Sequence, residues 1–141
     1  MTRILMKIEL NGTQLKRCQE VRTINDRDIH ELGEVMYEAY KGTVDYDDES
    51  IDDAIKEVKT TMKGKYGRPL DSACLVIDQN KQIASAIIFT WDKKQNMPLL
   101  TFSMTRASQK GKGFARKLIN EGLMRLKELD YSKCCLIVTE G

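Results

Sequence analysis

Residues 109 to 117 read QKGKGFARK, two glycines set between lysines just ahead of a helical pattern. The surrounding segment, Arg106 to Asn120, holds Arg106, Lys110, Lys112, Arg116 and Lys117 and no Asp or Glu. Positive side chains beside exposed backbone amides, at the start of a helix, make a binding site for a multi-oxygen anion. Glycines let such an anion approach the main chain closely. A phosphate or pyrophosphate fits these requirements best.

Two common phosphate loops do not fit. A Walker loop needs G-x-x-x-x-G-K-S/T, and Gly111 and Gly113 are only two apart with no Gly-Lys-Ser/Thr after them. A dinucleotide fingerprint needs G-x-G-x-x-G, and here Gly111-Lys112-Gly113 is followed by Phe114-Ala115-Arg116. A plain turn before a solvated helix is the bland alternative.

The loop needs a strand to deliver it and a helix to receive it. The pattern predicts a single domain, 1–141. Residues 3–10 (RILMKIEL), the Asn11-Gly12 turn and 16–24 predict an N-terminal β-hairpin over 1–24. Two helices follow over 25–63. The first carries Ile29, Leu32, Val35 or Met36, and Ala39 or Tyr40 on one face; the second carries Ile51, Ala54, Ile55, Val58 and Met62. Gly64, Gly67 and Pro69 interrupt the chain. A β-meander over 72–105 then runs through Ala73–Ile77, Ile83–Trp91 and Leu99–Thr105. The loop and a long helix occupy 106–130, with Phe114, Leu118, Ile119, Gly122, Leu126 and Leu129 as its buried face. A last strand over 134–139 should run parallel to the strand before the loop, because a helical crossover joins them.

Composition narrows the function classes. The chain has 141 residues, enough for one core. Lys plus Arg is 23 against 21 Asp plus Glu, a net charge of +2, which speaks against a dedicated nucleic-acid binder. Cys18, Cys74, Cys134 and Cys135 form no CxxC pair, and His30 is the only histidine, so zinc spacing is absent and no metal is expected. The cysteines read as reduced core residues of a cytoplasmic protein. No signal-peptide shape or membrane-spanning run is visible.

With these residues in view, the chain resembles the GNAT acetyltransferases over nearly its whole length. Lys110-Gly111-Lys112-Gly113-Phe114-Ala115 matches their acetyl-coenzyme A loop, Gln/Arg-x-x-Gly-x-Gly/Ala, with Lys in the first place. The stretches MYEAYKGTVDYDDES, GKYGRPLDSACLVI and LIVTEG are similar to a bacterial-type subgroup. Ala107 stands where that family often has proline. The resemblance implies an α/β (α+β) fold: a mixed sheet, antiparallel meander plus a parallel last strand, with helices on both faces. It implies that acetyl-coenzyme A is the cosubstrate. Its pantetheine arm would lie along Ser103, Met104 and Thr105, and its pyrophosphate on Lys110, Gly111, Lys112, Gly113, Phe114 and Ala115. The sequence ends at Gly141, where the family continues with a helix and two more strands, so a C-terminally truncated domain is expected.

The implied activity is acetyl transfer to a primary amine of a small molecule or protein. The alternative is an impaired module that binds coenzyme A or a protein partner. Glu140 is the candidate base, with an exposed carboxylate as its bland reading. Tyr37, Tyr40 and Tyr46 lie in or after the first helix, which borders the acceptor site in this fold, though such tyrosines are more often packing residues. Asp45, Asp47 and Asp48 could attract a cationic amine or simply start a helix, and His30 reads as a surface residue. An uncovered last strand would be a sheet edge, so a homodimer or a complementing chain is expected there. The acceptor is not identified by the sequence.

Overall fold

The architecture is that of a computed structural model that describes residues 2–10, 20–41 and 49–140, with side chains for all of these except 2–4 and 137–140. Within them lie six strands and three α-helices: β1 (Thr2–Glu9), β2 (Val21–Thr23), α1 (Ile29–Tyr40), α2 (Ile51–Met62), β3 (Leu75–Gln79), β4 (Gln82–Asp92), β5 (Met97–Thr105), α3 (Phe114–Glu128) and β6 (Lys133–Glu140). The strands form one sheet in the order β1-β6-β5-β4-β3-β2.

β4 is the spine of the sheet. Its residues from Ile83 to Thr90 are all buried, because helices cover both faces. Ala84, Ile87 and Phe89 pack with Phe114, Leu118 and Leu126 of α3. Ile83, Ala86 and Ile88 pack with Leu32, Val35 and Met36 of α1 and Ala54 and Val58 of α2. The two apolar stripes read from the sequence of α1 and α2 therefore share a single layer. They meet closely: a Cβ on Gly33 would fall 2.3 Å from the Ile55 side chain.

The β3-β4-β5 meander and the parallel β5–β6 pair match the sequence reading. Among the described residues β1 and β2 do not pair as an N-terminal hairpin. β1 pairs antiparallel with β6 over its whole length, from Thr2 opposite Glu140 to Glu9 opposite Lys133. β2 pairs instead with β3 at the far edge, and the Asn11-Gly12 turn lies outside the described residues. Alternating RILMKIEL specifies a strand but not its neighbour. β6 is an apolar strand with one flank open, and eight register pairs along it outweigh a local hairpin. Leu10 continues the junction, its N–H donating to the Ser132 carbonyl at 2.8 Å. The bare edge expected on β6 is accordingly filled by β1, which removes the reason for placing a partner there.

A second correction concerns α3. Leu129, expected on the buried face, is 49 % exposed. Glu121 is buried instead and is paired with Arg125 at 2.9 Å, one helical turn away. No helix among the described residues is long and apolar enough to cross a membrane.

Cys74, Cys134 and Cys135 are free and buried, and Cys18 lies outside the described residues. Burial pushes the Cys74 and Cys134 thiols from an ordinary 9.0 up to about 12. Folded-state values above the unfolded ones mean that the folded chain holds these protons longer as pH rises. Their contribution to stability is thus intact below pH 9 and is lost between 9 and about 12. Urea unfolding across that range should show a falling stability whose slope is smaller in Cys74→Ala, and iodoacetamide should leave Cys74 and Cys134 unmodified at pH 8 until the chain unfolds.

Candidate active site

The cleft begins with one surplus residue. Ile88 pairs with Phe102 and Phe89 with Leu100, leaving Thr101 as a bulge in β5. Such a bulge bends its strand and increases the local twist. β5 and β6 pair only at Leu99–Cys135 and Leu100–Leu136, on the near side of the bulge. Past it, β5 stays with β4 to Thr105 while β6 stays with β1 to Glu140, and the two part. The bulge is pinned by the Thr101 hydroxyl, 2.6 Å from that of buried Thr90.

Backbone direction within the parting strand follows from its bonds to β4. The Arg106 N–H donates to the Ala84 carbonyl at 2.9 Å, and the Met104 carbonyl accepts from Ser85 Oγ at 3.0 Å. Residues 104 and 106 therefore face β4. By alternation the main-chain groups of Ser103 and Thr105 face the cleft. Of the three pantetheine candidates, Ser103 and Thr105 border the opening, whereas the Met104 side chain is buried against α1 and α2.

The cleft leads to the start of α3. Gly111 and Gly113 adopt φ of +83° and +82°, with nothing within 4 Å of a Cβ at either place. Backbone conformation rather than crowding requires glycine there. Gly113 is the N-cap of α3, no side chain caps this end, and no acidic residue lies in the first turn. The first intrahelical bond from beyond the cap is Lys117 N–H to the Gly113 carbonyl, 3.1 Å. The N–H groups of Phe114, Ala115 and Arg116 precede it and have no partner within the helix. α2 shows the contrast: Ser50 and Asp53 cap its start reciprocally, at 3.1 and 3.0 Å. Left-handed residues on either side of Lys112 turn successive amides into a concavity suited to an anion.

Not all of the local positive charge is available to that concavity. Arg106 is 8 % exposed. It donates to the Ile83 carbonyl at 2.6 Å and to Glu31 at 3.0 Å, forms a short hydrogen bond with Glu38, and has Glu34 at 3.8 Å. Glu31, Glu34 and Glu38 occupy one face of α1, so this arginine neutralises a helix and fastens the loop to it. Lys110 reinforces the attachment through the Ala39 carbonyl at 3.3 Å, near the electron-rich end of α1. Lys110, Lys112 and Arg116 remain exposed around the amides.

Other candidates fare differently. β6 carries Glu140 past the point where β5 has left, but the Glu140 side chain lies outside the described residues, as do Asp45, Tyr46, Asp47 and Asp48. Tyr37 and Tyr40 pack against the α1/α2 core. His30 is exposed, 3.7 Å from Glu34. No cluster of metal-ligating side chains occurs among the described residues.

The structure adds a group that the sequence reading overlooked. Tyr66 stands edge-on to Phe102, the residue after the bulge, with ring centroids 6.0 Å apart. Its hydroxyl donates to Glu57 at 2.7 Å, and Lys65 Nζ lies 3.1 and 3.3 Å from the two Glu57 oxygens. Partial burial pushes the Glu57 carboxyl up, but the hydrogen bonds from Tyr66 and Lys65 outweigh it and hold it below the usual range. Gly67 makes this placement possible: at φ +126° its Cβ position is 2.1 Å from the Trp91 carbonyl oxygen. In the sequence it is marked only as part of the break formed by Gly64, Gly67 and Pro69.

Two substitutions test the frame of the site. Arg106→Met removes the bond to the Ile83 carbonyl and the contacts to the half-exposed Glu31 and Glu38, and should cost about 1–2 kcal/mol in urea unfolding. Gly113→Ala meets no clash and should cost about 1–2 kcal/mol from the left-handed backbone alone.

No family model matches the chain, and no curated protein matches its sequence. Solved structures do match. A GNAT family acetyltransferase from Brucella melitensis, in complex with acetyl-CoA, is 21% identical with a TM-score of 0.64, over 86% of this chain and 76% of that one. A GCN5-related N-acetyltransferase from Sphaerobacter thermophilus is 12% identical with a TM-score of 0.70, over 96% and 42%. An N-acetyltransferase from Staphylococcus aureus Mu50 is 19% identical with a TM-score of 0.58, over 79% and 67%. The parted strands, the glycine loop and the bare helix start thus sit in a GNAT acetyltransferase fold.

Proposed function

We propose that this chain binds acetyl-coenzyme A between β5 and β6 and transfers its acetyl group to a primary amine. One observation carries the proposal. The gap opened by the Thr101 bulge leads directly to left-handed glycines and uncapped amides at α3. A pantetheine arm needs extended backbone to pair with, and Ser103 and Thr105 offer it. A pyrophosphate needs convergent N–H groups and mobile cations, and residues 110–116 offer both.

The chemistry then asks little more of the chain. The amine nitrogen, once deprotonated, attacks the thioester carbonyl carbon. The C–S bond breaks, coenzyme A leaves as a thiolate, and the proton shed by the amine passes to solvent or a nearby base. A cleft-facing N–H of β5 would polarise the carbonyl oxygen as negative charge develops. Glu140 is the proposed base, acting through water, since β6 carries it beside the parted segment.

Binding needs only the loop and β5, so a module that holds coenzyme A without turnover is the second reading. Calorimetry with coenzyme A should give a micromolar dissociation constant that weakens roughly tenfold in Lys110→Ala. Absence of heat with both coenzyme A and acetyl-coenzyme A would overturn the proposal. Single-turnover acetylation of an amine panel separates the enzyme from the binding module.

A further inference from the structure

The cluster at Tyr66 holds a primary ammonium in the manner of a recognition site. Lys65 Nζ sits 3.1 and 3.3 Å from the two oxygens of Glu57 and 5.0 Å from the centroid of the Tyr66 ring. A carboxylate on one side and an aromatic face on the other are the two elements that bind an alkylammonium. Lys65 is exposed and is held at the end of a flexible side chain, so it can be displaced. Glu57 and Tyr66 hold one another: the Tyr66 hydroxyl donates to Glu57 at 2.7 Å, and the Tyr66 ring meets Phe102 edge-on.

The position is also right. Phe102 is the first residue of β5 beyond the bulge, so Tyr66 stands beside the stretch that has left β6. Glu57, Gly64 and Lys65 line an open depression of about 750 Å³, which gives Glu57 an approach from solvent. Asp53, on the same wall, is engaged in capping α2 through the Ser50 N–H.

We propose that Glu57 and Tyr66 bind the ammonium of the acceptor, and that Lys65 occupies this place as an internal stand-in until the acceptor displaces it. The assignment rests on the acetyltransferase function proposed above and gives it a substrate class, cationic alkylamines. Glu57 is a binding group and not the base, since a carboxylate held below its usual range is a weak proton acceptor. The ammonium leaves Glu57 for the thioester and passes its proton to water or, through water, to the proposed base Glu140, so that the neutral amine attacks.

Butylamine is the probe, with butanol as its neutral counterpart. In acetylation assays Glu57→Gln should raise the KM for butylamine roughly tenfold. Lys65→Ala should lower it roughly twofold to fivefold by removing the competitor. Both variants should keep the wild-type affinity for acetyl-coenzyme A, which also shows that they fold. Without any acetyl donor, butylamine at pH 7 should shift the NMR signal of the Glu57 side-chain carboxyl, and butanol should not. Unchanged KM values in an active chain, or equal shifts with butanol, would overturn the proposal. A Glu57 shift in a chain that fails to bind acetyl-coenzyme A would support the ammonium site while removing the transferase function.

Discussion

The site depends on one residue that β4 does not pair. Thr101 is surplus to the ladder, and the bulge it creates lets β5 follow β4 while β6 follows β1. A regular strand would have continued the parallel pairing and closed the gap. The cleft is therefore a property of register rather than of any catalytic side chain. Its cost is a few unpaired main-chain groups, which are the groups an extended ligand needs. Buried Thr90 supports the irregularity from below, hydroxyl to hydroxyl.

Electrostatics divides the basic segment into two parts with different jobs. Arg106 is spent on α1, where Glu31, Glu34 and Glu38 surround it. That contact joins the first helix to the end of β5 and fixes where the loop begins. Lys110, Lys112 and Arg116 stay at the surface around an uncapped helix start. A charge count treats these cations alike; burial separates them into structure and site.

Much of this was legible in the sequence. Glycines before a helix pattern, with no acid nearby, gave the loop and the uncapped start of α3. Apolar periodicity gave α1, α2, α3 and the meander. What escaped was pairing at a distance. RILMKIEL alternates equally well beside any partner, so the Asn11-Gly12 turn was a weak guide to its neighbour and β6 the true one. Leu129 belongs to the stripe of α3 by spacing, yet it is the C-cap just past the last helical residue, Glu128, and its side chain is exposed. Tyr66, Glu57 and Phe102 come from a loop, a helix and a strand, and no spacing rule connects them. The Thr101 bulge has no sequence signature either, since an extra threonine in a β-rich run looks like any other strand residue.

The partnership of β1 with β6 also bears on how fast the chain can fold. It joins strands from opposite ends of the described chain, so it closes the longest loop in the molecule. Contacts of that kind are slow to form, because the loop must be closed before the pairing repays it. The meander and α3 can assemble from near neighbours while β1 waits for β6 to be made. During that interval both strands present unsatisfied edges to other chains. The step that completes the sheet is thus also the one at which exchange of β1 between two molecules competes with folding.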